Sequence, residues 1–202
     1  MFKMMNLARI MVGFQGLTCA ELAYQNALIY AKDRKQGKTT QGNTAIVDHA
    51  DVRRMLLSIK SQLEAGRVMA YEIAKNVDLM RHHPDATVRK EAMMWVELVT
   101  PIVKAYLTDF GVEAASTAIQ VYGGHGFIEE HGVAQIYRDA KICALYEGTN
   151  GVQSMDLVRR KLVIFNGELP KLFFTRVKAW LANAGESTAF LNGALADALG
   201  QL

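Results

Sequence analysis

Residues 52–80 read VRRMLLSIKSQLEAGRVMAYEIAKNVDLM, and they form the most regular stretch of this 202-residue chain. Apolar side chains recur there every three or four residues, the spacing of one face of an α-helix. The stripe consists of Val52, Leu56, Ile59, Leu63, Ala70, Ile73, Val77 and Met80. It predicts a helix from Asp48 to Arg81. The helix should end before Pro84, because proline and the residue before it disfavour helical backbone.

Similar apolar stripes predict three further long helices and therefore an all-α fold. Short connections between long helices are typical of an antiparallel four-helix bundle, here followed by extra C-terminal helices. The remaining bundle helices are expected at Asn6–Lys35, Thr87–Tyr122 and Asn150–Phe165. We expect one domain over residues 1–166 and a helical extension over residues 167–202.

Several residues make the predicted packing more specific. Gly13 and Gly16 interrupt the first stripe and predict that another backbone packs closely there. Pro101 removes a backbone donor within the third helix, so a kink rather than a break is expected. In the fourth helix, the side chains expected to face inward are Val152, Met155, Val158, Leu162 and Phe165. In the extension, the expected buried residues are Phe173, Val177 and Trp180, and the expected cap of the last helix is Ser187.

The composition excludes several classes of protein. Half of the residues are hydrophobic, only three are proline, and the formal net charge is +3. Basic and acidic residues are interleaved, which argues against nucleic acid as a partner. No apolar run reaches the ~18 residues of a membrane span. Cys19 and Cys143 lack ligand spacing and are expected to be buried thiols, so we expect a cytoplasmic protein.

Three segments near the end of the predicted bundle carry the chemical signal: QVYGGHGF at 120–127, YRDAK at 137–141 and LYEGTN at 145–150. The glycine turn leaves backbone N–H groups bare and can cradle a phosphate or a flat ring, although such a turn is also a common helix C-cap. Glu147 lies between apolar Leu145-Tyr146 and Gly148, a setting expected to raise its pKa. It is a candidate general base, and the alternative is a solvated helix end.

Together with YAKDRKQ at 30–36, these ordered motifs resemble the C-terminal helical domain of the acyl-CoA dehydrogenases, over about Asn6 to Leu162. The resemblance implies a flavoenzyme that uses FAD to desaturate acyl-CoA thioesters, with Glu147 as the base. The extension after residue 166 resembles the larger bacterial members. Family enzymes also have N-terminal and middle domains, so this chain is expected to be a fragment that is inactive alone.

The resemblance also implies roles for individual residues. Arg34 would reach the flavin diphosphate of a neighbouring subunit, and Gln120, Gly123 and Gly124 would contact the same cofactor. Thr149 would lie close to the flavin, and Gly148 would leave room for the acyl chain. Arg9, ordinarily a solvated charge on the polar side of its helix, matches an arginine near the acyl-CoA site. Two positions depart from the family pattern: Gly37 stands where a phenylalanine is common, and Gly151 stands where Glu or Gln is usual.

Partners and alternatives follow from the same resemblance. It implies an acyl-CoA substrate, self-association as a dimer or tetramer, and an electron acceptor of unknown identity. His125 and His131 flank two glutamates, but a spacing of six does not place them on one helix face, so no metal site is expected. Two alternatives remain open: a non-catalytic helical interaction or oligomerisation module, and a nucleic-acid-associated flavoprotein, which would require a concentrated basic patch.

Overall fold

The computed structural model describes residues 2–42, 44–185 and 188–200, and these residues form helices without a β-strand. An isolated backbone bridge joins Lys35 to Ala45. The α-helices are α1 (Phe2–Asp33), α2 (Ala50–His82), α3 (Ala86–Tyr122), α4 (Gly124–Phe127), α5 (Val133–Cys143), α6 (Asn150–Asp156), α7 (Glu168–Ala182) and α8 (Ala189–Gly200). Shorter helical turns are Ile46–Asp48, Glu129–His131, Leu157–Lys161 and Ile164–Gly167. The all-α prediction is confirmed.

The three long helices α1, α2 and α3 build the core, with α3 packed against both others. Their predicted bounds are confirmed to within a few residues, and α3 continues through Pro101. The predicted fourth helix is wrong in its length. After α6 ends at Asp156, the backbone widens into a π-helical turn, and positive φ angles at Phe165 and Asn166 end the helical run. Short α5 packs on α1 and α3 instead.

Glycine permits the closest contact between α1 and α3. A Cβ atom on Gly16 would lie 2.5 Å from the Leu107 carbonyl oxygen, and one on Gly111 would lie 2.6 Å from the Gly16 carbonyl oxygen. Fully buried alanines extend this close face along both helices, at positions 20, 23, 27 and 31 of α1 and 114, 115 and 118 of α3. The predicted close approach of two backbones at Gly16 is therefore confirmed.

The extension packs on the first half of α3. Leu169 of α7 is fully buried against Met94 and Leu98. Phe173 stacks on Trp95 with ring centroids 6.1 Å apart, and the Arg176 guanidinium lies 4.2 Å from the Trp95 ring centroid. The predicted burial of Phe173 and Trp180 is wrong, since this surface helix is covered on one side and leaves 38% and 44% of these two residues exposed.

Two further expectations concern the ends of the extension. Ser187 lies outside the described residues, and the boundary between residues 166 and 167 stays a prediction. None of the helices in the described part of the chain combines the length and apolar character needed to cross a lipid bilayer.

Candidate functional site

Glu147 lies in the turn between α5 and α6. Its backbone has φ at +55°, a conformation that residues other than glycine rarely adopt. Such left-handed conformations in residues other than glycine persist where surrounding contacts enforce them, and they cluster at functional sites. Glu147 is exposed, as are its neighbours Leu145 and Tyr146. The water-poor surroundings expected from the sequence are therefore not formed by this chain alone.

The Gln153 side chain holds this turn from within. It is buried, and its amide nitrogen donates to the carbonyl oxygens of Glu147 at 3.2 Å and Gly148 at 3.0 Å. Gly148 has φ at +84°, and a Cβ atom there would lie 2.9 Å from the Gln153 amide nitrogen. Residue 148 must therefore be glycine for the turn to close. Thr149 caps α6 by accepting a hydrogen bond from the Val152 N–H.

Asn150, the first residue of α6, anchors the same turn to α3. Its Oδ1 accepts a hydrogen bond from the Lys104 ammonium at 2.8 Å. Its Nδ2 donates to Asp109 Oδ1 at 2.7 Å and to Thr108 Oγ1 at 3.0 Å. Lys104 is fully buried, and burial lowers the pKa of its ammonium although the nearby Asp109 charge opposes that effect. Sequence reasoning missed Lys104, because its position in a long apolar helix gives no sign of a buried charge.

A second feature is an open recess of about 430 Å³ where α1 and α3 end. The structure brings together three predicted cofactor residues in its lining, Arg34, Gln120 and Gly123. The backbone of Arg34 is fixed by hydrogen bonds to Tyr30 at 2.8 Å and Ile46 at 2.9 Å. Gly124 follows directly in the chain as the first residue of α4, and Thr149 does not line the recess.

This recess has features that fit a phosphate-bearing, flat cofactor. Gly123 has φ at +62°, and a Cβ atom added there would meet no atom within 4 Å, so its backbone is open to a ligand. The exposed guanidinium of Arg34 supplies a cation suited to a diphosphate. The sequence did not single out His49, which also lines the recess and bonds to the Gln36 carbonyl oxygen at 2.9 Å.

Aromatic side chains support one wall of the recess. Tyr30 stacks on Tyr122 with centroids 4.0 Å apart, and its hydroxyl contacts His125 Nδ1 at 2.8 Å. Burial raises the pKa of Tyr122, and Tyr30 adds to that effect. His125 also stacks on His131 at 4.6 Å. Among the residues that the structure describes, no three potential metal ligands are grouped to hold an ion.

Arg9 is not the solvated charge expected from its helical position. It is buried, and its guanidinium pairs with Asp156 at 3.1 Å. Asp156 also accepts from Arg160 at 2.5 Å, while fully buried Lys161 pairs with Glu97. The expectation failed because Asp156, the last residue of α6, supplies a carboxylate to the Arg9 guanidinium. The substrate role of Arg9 stays a prediction.

Cys19 and Cys143 are both free thiols, as expected. Cys143 is buried and Cys19 is half-buried. Burial raises the pKa of Cys19 to about 11. This thiol therefore stays protonated and poorly nucleophilic at neutral pH.

Comparison with known proteins agrees with the fold and the motifs. The model of the acyl-CoA dehydrogenase C-terminal domain matches residues 1–162. The 3-methylmercaptopropionyl-CoA dehydrogenase of Ruegeria pomeroyi is 44% identical over 183 residues, which are 89% of this chain and 31% of that protein. A butyryl-CoA dehydrogenase of Syntrophomonas wolfei is 38% identical over 193 residues, 94% of this chain and 30% of that protein.

The structural match extends over the C-terminal helices as well. Caenorhabditis elegans ACDH-11, solved in complex with C11-CoA, superimposes with a TM-score of 0.85 and 23% identity over 98% of this chain and 32% of that chain. At this identity the match shows the fold alone. The chain spans less than a third of the length of the two curated relatives. Sequence and fold together show that this chain belongs to the acyl-CoA dehydrogenase family, whose C-terminal domain it matches.

Proposed function

We propose that this domain works as part of an FAD-dependent acyl-CoA dehydrogenase, in which Glu147 is the general base. The observation that carries the proposal is the Glu147 turn itself. Glu147 is exposed, and its backbone is in a left-handed conformation. Buried Gln153 binds the carbonyl oxygens of Glu147 and Gly148, and the Asn150 N–H closes the loop by donating to the Ala144 carbonyl oxygen. A solvated helix end requires no such double anchoring. Exposed apolar neighbours, Leu145 and Tyr146, leave a surface that another domain can cover to exclude water.

The chemistry assigned to the chain is removal of a proton from the carbon next to a thioester carbonyl. A carboxylate does this efficiently when its pKa lies near the working pH and when hydrogen bonds to the carbonyl oxygen acidify the carbon. By family resemblance, the Glu147 backbone N–H supplies one of those bonds. Gly148, without a side chain, leaves space for the acyl group. The proton removal would be coupled to hydride loss from the neighbouring carbon, for which bound FAD would supply the acceptor.

Arg34, Gln120, Gly123, Gly124 and Thr149 are the residues we assign to the FAD site. Arg34 would bind the diphosphate, and the recess would face the flavin of a neighbouring subunit, so the proposal includes self-association as a dimer or tetramer. It also includes an electron acceptor and a cytoplasmic location. Arg9 remains a proposed substrate residue, although its guanidinium is paired with Asp156 at 3.1 Å.

The test replaces the matched segment of the Ruegeria pomeroyi dehydrogenase by this chain and follows flavin absorbance after mixing with acyl-CoA thioesters. Glu147→Gln should keep FAD bound and the fold intact, because the amide has the same shape. It should lower the rate of flavin reduction by at least ~10²-fold, the usual effect of losing a general base.

Glu129→Gln is the matched control, since Glu129 is exposed and lies outside the turn. Its rate should equal that of the unsubstituted chimera. Undiminished reduction in the Glu147 variant would remove the assignment. An unsubstituted chimera that binds FAD but is never reduced would favour the non-catalytic interaction module.

A further inference from the structure

Lys104 is a buried charge that packing does not explain. The residue has no exposed surface, and its ammonium donates at 2.8 Å to the neutral amide oxygen of Asn150. Moving a cation out of water is expensive unless a carboxylate is paired with it. Lys161 is also fully buried, but its ammonium is paired directly with the Glu97 carboxylate. The direct partner of the Lys161 ammonium is therefore a carboxylate, whereas that of the Lys104 ammonium is a neutral amide.

The contacts of Asn150 show what the Lys104 charge does. An ammonium has only donors and a carboxylate has only acceptors, so together they fix which end of an amide faces which partner. The amide oxygen of Asn150 faces the Lys104 ammonium, and its nitrogen faces Asp109 Oδ1 at 2.7 Å. A flipped amide would place N–H groups against the ammonium and oxygen against the carboxylate. Lys104 and Asp109 therefore hold the Asn150 side chain in a single orientation.

Asn150 transmits this constraint to the turn. It is the first residue of α6, and its backbone N–H donates to the Ala144 carbonyl oxygen at 3.3 Å, which closes the loop that contains Glu147. Four charged or titratable groups from surrounding elements act on Lys104: Asp109 of α3, Arg9 of α1, Cys143 of α5 and Glu147 itself.

We propose that Lys104 is a positioning residue for Glu147: through Asn150, its buried ammonium fixes the start of α6 and with it the turn that presents the base. The proposal rests on the assignment of Glu147 as the base for its catalytic part, and on the hydrogen bonds alone for its structural part. A base must lie within about 0.5 Å of its productive position to be effective. A displacement of about 1 Å can reduce a rate by as much as ~10²-fold.

The structural part is tested in the 202-residue chain by NMR. Lys104→Met removes the ammonium and keeps an apolar side chain of similar length. The side-chain amide signals of Asn150 should shift, and backbone order parameters at Glu147–Asn150 should fall from about 0.85 to below about 0.6. Lys161→Met is the matched control: it removes an equally buried ammonium and should leave the turn unchanged. If Lys104→Met does not fold, Lys104→Gln replaces it in the comparison: its amide has no charge and carries both a donor and an acceptor, so it no longer fixes which end of the Asn150 amide faces it.

The catalytic part is tested in the chimera described above. Lys104→Met should lower the flavin-reduction rate at saturating acyl-CoA at least about tenfold, with a smaller change in the half-saturating acyl-CoA concentration, because the turn supplies the base but only part of the substrate site. An ordered turn in Lys104→Met, equal loosening in Lys161→Met, or a full reduction rate would each overturn the proposal. An active Glu147→Gln variant would instead refute the base assignment and with it the catalytic part, while the NMR comparison would still decide the structural part.

Discussion

Two groups of charged side chains, each with a fully buried lysine, lie where α1 and α3 pack with the α6 segment, and these lysines are compensated differently. In the first, the carboxylates of Asp156 and Glu97 pair with Arg9, Arg160 and Lys161. In the second, Lys104 is bound to the Asn150 amide, and Asp109 contacts the other end of that amide. Both groups join helices that are distant in sequence. They differ in whether a cation contacts an anion directly.

The two groups should therefore affect different properties: the first the free energy of unfolding, and the second the position of the Glu147 turn. A direct ion pair in a buried place is strongly destabilising to break, because the remaining charge is left without a partner. A cation that contacts an amide gains less from that contact, so its removal should change stability little and local order more. We therefore expect the first group to be sensitive in unfolding experiments and the second to be sensitive in experiments on the Glu147 turn.

The largest expected effect is on the pair between Lys161 and Glu97. Glu97→Gln leaves the ammonium buried without a carboxylate and keeps an oxygen that can accept from Asn6. We expect the free energy of unfolding to fall by about 3–5 kcal/mol. Urea unfolding monitored by circular dichroism measures this.

Two variants sharpen that measurement. Adding Lys161→Met to Glu97→Gln removes the unpaired charge, so the double variant should be more stable than the single one. Glu129→Gln breaks a pair with Arg138 in which the side chains are 79% and 72% exposed, and should change stability by no more than ~0.5 kcal/mol. If Glu97→Gln and Glu129→Gln lowered the free energy of unfolding equally, the buried pair would be no more important for stability than the exposed one.

The second effect is on acid stability. Burial alone would raise the pKa of Asp156, but the hydrogen bond and charge of Arg160, together with Lys161 and Arg9, hold this pKa below its ordinary value of 3.8. The unfolded chain then binds the proton more readily, so Asp156 stabilises the fold above pH 3.8 and this contribution is lost as pH falls toward the folded pKa.

Asp156→Asn should therefore lower stability at neutral pH by about 1.5–3 kcal/mol, the range for hydrogen bonds to charged groups. Its stability should also fall less between pH 5 and pH 2 than that of the unsubstituted chain. Urea unfolding at stepped pH values checks both. If the free energy of unfolding fell equally in the two proteins between pH 5 and pH 2, Asp156 would make no contribution to acid stability.

The fold was predictable from sequence wherever one helix face is clearly apolar. The α2 stripe and the close approach at Gly16 both depend on local spacing, which a sequence shows directly. The fourth helix failed for a physical reason. Its apolar side chains, including Met155 and Val158, are 48% and 61% exposed, whereas Gln153 and Lys161 are buried. Periodicity identifies the apolar face of a helix, but it does not show which face the neighbouring helices cover.

The sequence motif pointed to the residues of the candidate turn, but not to the buried side chains that hold it in place. Glu147, Gly148 and Thr149 follow one another in a recognisable motif, and glycine beside an acid marks a special turn. Lys104 and Gln153 have no comparable signal. The partner of Lys104, Asn150, lies 46 residues away and is brought to it only by folding. Gln153 binds the nearby Glu147 and Gly148 carbonyl oxygens, but it lies on a helix whose buried side the apolar pattern did not predict. The burial of Arg9 was not predictable either, since its partner Asp156 is 147 residues away.

The smallest expected effect, and the sharpest test of the second group, is the alkaline behaviour of Lys104. Burial lowers the pKa of this ammonium from its ordinary value of 10.5. Between the folded pKa and 10.5 the unfolded chain binds more protons than the folded chain, so the stability of the fold rises with pH in that window. Below the window the buried charge opposes folding in full. Lys104→Met removes this opposition together with one hydrogen bond, so its stability at pH 7 should differ from that of the unsubstituted chain by only about 1 kcal/mol.

The pH dependence distinguishes the loss of the buried Lys104 charge from a simple change in packing. As pH rises toward 10.5, the unsubstituted chain should gain stability relative to Lys104→Met, because only the unsubstituted chain escapes the cost of the buried charge by losing a proton. Cys19, whose pKa is raised to about 11, produces the opposite slope between its ordinary 9.0 and 11, but it is present in both proteins and cancels in the difference. Urea midpoints measured from pH 7 to pH 10.5 give this difference directly. A constant difference would mean that the Lys104 ammonium is as well compensated as that of a solvated lysine, and the distinction between the two groups of buried charges would fail.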